Sequence, residues 1–278
     1  SPRKVDEPAL NGDVKTWVEQ MSDQQSVDLS EDDLLETQAL FNDEVIIDHI
    51  EGDWAKVYVA SQRDDSDSRG YPGWVPVKLL SESAITYPPV TSIVRIAVRT
   101  ANLYDENKQP VLEMSLGTVL PQTGTEGDMI EVVTPLGKGY IDQSAAILPF
   151  AGTNAGETMV EMARQFLGER YLWGGTSSYG FDCSGFAYTL HRVLGFDIPR
   201  DADDQQENGL PLAPEEILPG DLVFFAYDHG TGYVHHVGMY IGNGQMIESR
   251  TPGAKVDIAE LTEMKFASEF AGFRRYWR

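Results

Sequence analysis

The chain contains a single cysteine, Cys183, in the stretch Tyr179-Gly-Phe-Asp-Cys-Ser-Gly-Phe-Ala-Tyr-Thr-Leu190. An isolated cysteine is most often a small buried hydrophobe. This one follows an acid and opens an apolar run at helical spacing, which predicts a helix from about 183 to 194 with Asp182 as its N-cap. The first turn of a helix favours a thiolate, and its N–H groups point at whatever the sulfur binds. Such a cysteine could attack a carbonyl, provided an imidazole stands beside it.

Five histidines are available. His191 lies on the same helix, about two turns beyond the sulfur and out of reach. His49 belongs to an early β-rich region, and His229 to the loop Asp228-His-Gly-Thr-Gly232. His235 and His236 open a strand whose alternation sends them to opposite faces, so one of the pair can face Cys183. A third group should hold the imidazole in place. Residues 236–241 and 245–250 read as a hairpin around Gly242-Asn243-Gly244. A three-residue loop puts His236, Gly238 and Tyr240 on one face with Met246, Glu248 and Arg250, and Glu248 within reach of His236. A two-residue loop at Asn243-Gly244 brings Ile247 and Ser249 to that face instead.

The 278 residues suffice for two or three small domains, and a hydrophobic content of 41% can build real cores. A formal net charge of -23 repels nucleic acid and anionic membranes, so neither is an expected partner. One cysteine excludes an internal disulfide and any multi-cysteine metal site, and the histidines lack helical metal-ligand spacing, so no metal or other cofactor is expected. No apolar run approaches the roughly 18 to 20 residues of a membrane helix. The chain opens on Ser1 rather than Met, which suggests a removed leader and a place in the cell envelope or outside the cell, with a cytoplasmic recycling enzyme as the alternative. A monomer is expected.

The elements that must position Cys183 fall into four parts. Residues 1–28 read as a polar, partly helical lead-in, with Val14, Trp17 and Met21 at helical spacing. Residues 29–86 and 90–150 hold two similar β units, separated by Tyr87-Pro-Pro89. The first carries Asp53-Trp-Ala-Lys-Val57 and Gly73-Trp-Val75; the second carries Asp128-Met-Ile-Glu-Val132 and Gly139-Tyr-Ile141. Short strands with turns between them predict small barrels. Between its two motifs the first unit inserts Ser61-Gln-Arg-Asp-Asp-Ser-Asp-Ser-Arg-Gly-Tyr71-Pro72, where the second has only Thr134-Pro-Leu-Gly-Lys138. Residues 153–278 place helices first, over 157–167 with Gly168 as C-terminal cap, at 183–194 and near 201–207. Strands follow at 221–226, 236–241, 245–249 and 273–277, an α+β layout.

Four blocks in that last part, Tyr171-Leu-Trp-Gly-Gly, Phe181-Asp-Cys-Ser-Gly-Phe, Pro219-Gly-Asp-Leu-Val-Phe-Phe and His236-Val-Gly-Met-Tyr-Ile-Gly, resemble the signature blocks of the NlpC-type cell-wall cysteine peptidases, in the same order. The β units resemble the bacterial SH3-like domains that accompany such enzymes. The resemblance implies two small all-β SH3-like barrels followed by a papain-like α+β catalytic domain. It implies Cys183 as nucleophile, His236 as the base, and a Tyr171 hydroxyl beside the Cys183 N–H at the oxyanion. The third position, usually His and in some members Asn or Gln, is Glu248 in this chain. A carboxylate can still fix the tautomer and stabilise the imidazolium.

The tandem SH3-like units with YLWGG, YGFDCSGF and IPRDADDQ resemble most the dipeptidyl-peptidase VI type of this family. That implies hydrolysis of the bond between γ-D-Glu and the diamino acid in peptidoglycan stem peptides (L-Ala-γ-D-Glu-diamino acid) whose L-Ala amine is free. Glu36, Tyr71, Asp182 and Ser184 match positions that bind the substrate, and Tyr71 ends the long insertion. Arg200 and Gln205 match positions near the cleft, where structural pairing is an equal expectation. The competing readings are a papain-like amidase or acyltransferase on another substrate, and a non-catalytic wall-binding protein.

Overall fold

Asp13 caps helix α1 (Val14–Gln20) by accepting from Lys15 N, and α2 (Asp23–Glu31) follows, so the helical lead-in reaches three residues beyond its expected end at 28. These helices belong to a computed structural model that describes residue 10 and residues 13–31, 35–81, 92–148, 150–262 and 267–277. The Tyr87-Pro-Pro89 segment lies outside the described residues. Val18, Met21 and Leu29 bury their side chains against Leu172 of the C-terminal part, so the lead-in packs behind the YLWGG block.

The first β unit is an antiparallel meander, β1 (Val45–Glu51), β2 (Trp54–Val59) and β3 (Tyr71–Pro76). The second comprises β4 (Ser92–Ile96), β5 (Thr100–Tyr104), β6 (Pro110–Ser115), β7 (Val119–Glu126), β8 (Met129–Thr134), β9 (Gly137–Asp142) and β10 (Ala146–Ile147) in one sheet, ordered β10-β4-β7-β8-β9-β5-β6 around its own core. The sequence repeat is a repeat of register. Val57 pairs with Gly73 and Lys56 with Trp74, as Val132 pairs with Gly139 and Glu131 with Tyr140. Residues 60–70 of the first unit occupy the place of residues 135–136 in the second.

The C-terminal part starts with α3 (Ala155–Arg164), the two-residue strands β11 (Thr176–Ser177) and β12 (Gly180–Phe181), then α4 (Cys183–Leu194) and α5 (Ala202–Asn208). A sheet follows in the order β13-β18-β14-β15-β16-β17, built from β13 (Leu210–Leu212), β14 (Leu222–Ala226), β15 (Val234–Gly242), β16 (Gln245–Glu248), β17 (Asp257–Glu260) and β18 (Phe270–Arg275). Helix α4 begins at the expected residue, and from Ser184 to Leu194 every residue is buried; only Cys183 at its head is partly open. Phe166, Phe181 and Phe186 pack edge-on or tilted at its base. Each such side chain contributes roughly 1.5–3 kcal/mol by leaving water, which fixes the helix and hence the sulfur.

One expected cap is corrected. Helix α3 ends at Arg164 with Gln165 as C-cap, and Gly168 instead donates its N–H to Val256 O. The chain after Arg164 tightens into three-residue hydrogen bonds, Phe166 N to Ala163 O and Leu167 N to Arg164 O. That tightening turns Leu167 outward, 46% exposed, whereas Val160, Ala163 and Phe166 are buried as the periodicity requires.

Candidate active site

The hairpin that carries the histidine answers the register question in an unexpected way. The turn is the two-residue Asn243-Gly244, with φ of 54° and 76°, both left-handed as a type I′ turn requires. A bulge between Tyr240 and Gly242 then adds one residue to β15, so that Tyr240 pairs with Met246. The extra residue restores the parity that a three-residue loop would have given. Glu248 therefore shares a face with Gly238 and His236, and a Cβ built at Gly238 would lie 3.6 Å from the Glu248 Cβ. Glycine at 238 leaves room for the side chains of Met246 and Glu248 to cross beneath the histidine.

His236 Nε2 is hydrogen-bonded to Glu248 Oε2, both residues being buried. With Nε2 engaged, the hydrogen bond between His236 and Cys183 falls to Nδ1. The Phe225 ring, directly across the ladder, stacks on the imidazole at 5.7 Å. Burial alone would lower the imidazole pKa; the hydrogen bonds to Cys183 and Glu248 and the negative charge at both more than offset it and push it up to about 9. The other Glu248 oxygen has Arg250 Nε at 3.9 Å. His235 points elsewhere, stacked on Tyr227 at 4.3 Å with Nε2 3.2 Å from Glu269. His191 is fully buried with Nδ1 on Ala187 O, and His49 lies exposed on β1 beside Asp48.

Tyr171 is 4% exposed, close enough to Cys183 and Asp182 that their charges act on its phenol. Burial first, then those two charges, push its pKa far above the ordinary tyrosine value, so the hydroxyl stays a donor. A neutral donor beside the sulfur suits an oxygen that acquires negative charge.

Asp182 is the N-cap, its Oδ1 accepting from Gly185 N at 2.6 Å. The structure adds a partner that the sequence left as one option among two. Arg200, 1% exposed, donates Nη1 to Asp182 Oδ1 at 3.1 Å and Nη2 to Oδ2 at 2.5 Å. The acid beside the thiol is thus balanced by a guanidinium inside the protein. Arg200 Nη1 also donates to the Ser184 hydroxyl, which donates to Asp182, so Ser184 is tied into the same cluster. Gln205 is buried and holds the backbone, donating to Ser184 O and Pro199 O.

Residues from the first β unit reach this cluster. Arg200 Nε donates to the Thr37 hydroxyl at 3.0 Å, and its guanidinium lies 5.9 Å from the Tyr71 ring. Glu36, exposed, is next in sequence to Thr37. Its segment is held from several sides. Gln38 accepts from Thr176 N and Thr176 Oγ1, and the buried Gln62 donates to Gln38 O. Gly174, at φ +69°, lies so close to the Leu35–Glu36 backbone that a Cβ would stand 2.7 Å from Leu35 O. The Tyr71 hydroxyl donates to Asp201 Oδ2 at 2.9 Å. Asp201 was not singled out by the sequence; the signal was an acid directly after Arg200 at the head of an expected helix. Burial first, with the Asp182 charge adding to it and Arg200 opposing it, pushes its pKa up to about 6. The insertion docks on the same part through Arg63 O accepting from Arg200 N, and Asp65 N donating to Asp204.

A thiol at the head of a buried helix, a histidine from a sheet strand, an acid behind that histidine and a neutral donor beside the sulfur define a papain-like cysteine peptidase. The comparisons agree. The NlpC/P60 family profile matches residues 168–275, and the YKFC SH3b2 domain profile matches residues 96–147. The chain is 38% identical over 278 residues to the γ-D-glutamyl-L-lysine dipeptidyl-peptidase of Bacillus subtilis, covering 99% of this chain and 93% of that protein. A γ-D-glutamyl-L-lysine dipeptidyl-peptidase of Bacillus cereus is 37% identical, over 99% and 86% of the two chains. The solved structure of an NlpC/P60 family protein from Bacillus cereus superposes with a TM-score of 0.90 at 36% identity, covering 100% of this chain and 94% of that one. The chain belongs to the NlpC/P60 family of cysteine peptidases.

Proposed function

We propose that the protein hydrolyses the bond between γ-D-Glu and the diamino acid of peptidoglycan stem peptides, and requires a free amine on the preceding L-Ala. The observation that carries this reading is that the first β unit bonds to the residues packed around Cys183. Tyr71 and its bound Asp201 bring a phenol and a carboxylate towards the Arg200–Asp182 cluster beside Cys183, and Thr37, the neighbour of Glu36, bonds Arg200. Carboxylates and a phenol oxygen at a closed end suit an ammonium group and exclude a longer chain. The near full-length likeness to two proteins named γ-D-glutamyl-L-lysine dipeptidyl-peptidase supports the same choice of bond.

In this reading His236, held by Glu248, takes the Cys183 proton and forms an ion pair with the thiolate. The thiolate attacks the γ-carbonyl carbon, and its C=O electron pair moves to the oxygen, which Tyr171 and the Cys183 N–H stabilise. The imidazolium protonates the leaving amine as the C–N bond breaks, releasing the diamino acid and leaving a thioester. Water, deprotonated by His236, then attacks the thioester, and Cys183 leaves as thiolate. Glu36, Tyr71, Asp182 and Ser184 form the pocket for L-Ala, with Asp182 acting mainly as the fixed wall that Arg200 holds.

The test is mass spectrometry of products from L-Ala-γ-D-Glu-L-Lys and its meso-diaminopimelate analogue, each with a free and an acetylated N-terminus. Free-amine peptides should yield L-Ala-γ-D-Glu, acetylated ones should resist, and Cys183→Ala should yield no product. Equal cleavage of the acetylated peptides would remove the ammonium pocket, and activity in Cys183→Ala would remove the mechanism.

A further inference from the structure

The lead-in helices are bound to the segment that carries Tyr171 at three successive residues. Arg170 donates Nη1 to Val18 O at 2.8 Å and Nη2 to Met21 O at 2.7 Å, satisfying carbonyls at the end of α1. The Tyr171 carbonyl accepts from the Ser26 hydroxyl of α2 at 3.1 Å, in a buried contact with Ser26 2% exposed. Leu172 is fully buried in the cluster with Val18, Met21 and Leu29. On the other side Tyr171 N donates to Ala254 O and Leu172 N to Phe181 O. The backbone of Tyr171 is thus fixed by a hydroxyl from outside the C-terminal α+β part, while its phenol lies close enough to Cys183 to feel its charge.

We infer that the N-terminal helical pair is a working part of the site and that Ser26 is a positioning residue for the Tyr171 hydroxyl. The inference rests on the reading of Tyr171 as the oxyanion donor. A donor contributes fully only when its distance to the developing charge is held to a few tenths of an ångström, so a group that fixes its backbone acts on turnover rather than on substrate affinity. The bond from Ser26 to Tyr171 O has this reach; elsewhere α2 meets this segment through the Asp23–Arg170 ion pair, Oδ1 to Nη2 at 3.5 Å, and through apolar packing.

The experiment is a double-mutant cycle on the full chain with Ser26→Ala, Tyr171→Phe and the pair, read by kcat and KM on L-Ala-γ-D-Glu-L-Lys. Iodoacetamide alkylation of Cys183 provides a second reading that needs no peptide, and thermal unfolding checks that each variant is folded. Ser26→Ala is expected to lower kcat about 10-fold with KM within twofold. It should add nothing once Tyr171 is Phe, and Ser26→Thr, which keeps the hydroxyl, should restore the rate. The alkylation rate should shift in the same direction in both single variants and no further in the pair. A Ser26→Ala enzyme with unchanged kcat and alkylation, beside a Tyr171→Phe enzyme that is impaired, overturns the inference and leaves the functional reading intact. Additive losses also overturn it. If Tyr171→Phe changes neither reading, the oxyanion role and the inference fall together. If the peptide is not cleaved at all, the substrate reading fails and the alkylation cycle decides the inference alone.

Discussion

Arg200 grips both oxygens of Asp182, the residue directly before the candidate nucleophile, and both side chains are shut away from water. A buried pair of this kind is costly to break from one side, because the survivor is left charged in a poor solvent. Arg200→Leu is therefore expected to destabilise the fold by about 3–5 kcal/mol. The double variant Asp182→Ser, Arg200→Leu should recover a large part of that loss, since Ser keeps an N-cap oxygen for Gly185 N without a charge. Urea unfolding of the two variants against the parent measures both numbers.

The pH profile should expose the acid behind His236. Its hydrogen bonds to Cys183 and Glu248 hold the imidazolium pKa at about 9 against the opposing effect of burial. The leaving amine needs the imidazolium, so kcat/KM should fall on the alkaline side with an apparent pKa near that value. Glu248→Gln keeps the hydrogen bond but removes the charge, so the alkaline limb should move at least about one unit towards neutral. Glu248→Ala should move it further and lower kcat by about 100-fold as the ring loses its fixed tautomer. The pH dependence of kcat/KM for the three enzymes tests the order.

Much of this site can be read from residue order alone, and the reasons differ from part to part. Helix α4 is legible because a cap and a helical apolar period agree, and Gly195, in the left-handed region, closes it at the expected end. The separation of His235 from His236 follows from strand alternation, and their different partners, Glu269 and Glu248, express it. The hairpin shows the limit. The reading that pairs Glu248 with His236 assumed a three-residue loop, whereas the chain uses a two-residue turn and a bulge. A bulge leaves no mark in the alternation of four or five residues, so parity could be right while the turn was not. The links between units were illegible for a different cause. Ser26 to Tyr171, Thr37 to Arg200 and Tyr71 to Asp201 are single polar contacts between segments more than a hundred residues apart, and no local pattern encodes them.

The Tyr71–Asp201 bond joins the first residue of β3, just past the insertion, to the helix α5 cap position, and it should matter for affinity rather than turnover. Tyr71→Phe removes the donor and leaves Asp201 less favourably ionised. With the Asp201 pKa already at about 6, the loss of an ammonium ligand should be largest in weakly acidic buffer. KM for the free-amine tripeptide should rise about 10-fold at pH 6 and less at pH 8, with kcat nearly unchanged. Steady-state kinetics at the two pH values checks it, and an equal rise at both would separate Tyr71 from the ionisation of Asp201.

His191 carries no part in the proposed chemistry, yet it should set the acid limit of the fold. Its ring is fully buried between Phe196 and Tyr276, with Nδ1 donating to Ala187 O. Burial lowers its pKa to about 4, only partly opposed by that hydrogen bond, from 6.5 in the unfolded chain. The unfolded state thus binds a proton that the native state refuses, so the stabilising contribution is present above 6.5 and is lost as pH falls towards 4. The shift corresponds to a loss on the order of 3 kcal/mol across that window. His191→Phe keeps the ring contacts and removes the proton site. Its stability at pH 7.5 should lie within about 2 kcal/mol of the parent, the cost of the lost hydrogen bond and the larger ring. Between pH 6.5 and 4 its stability should fall distinctly less steeply than the parent's. Urea midpoints at half-unit steps of pH read this directly, and parallel curves for the two proteins would mean that paired carboxylates, not His191, govern acid unfolding.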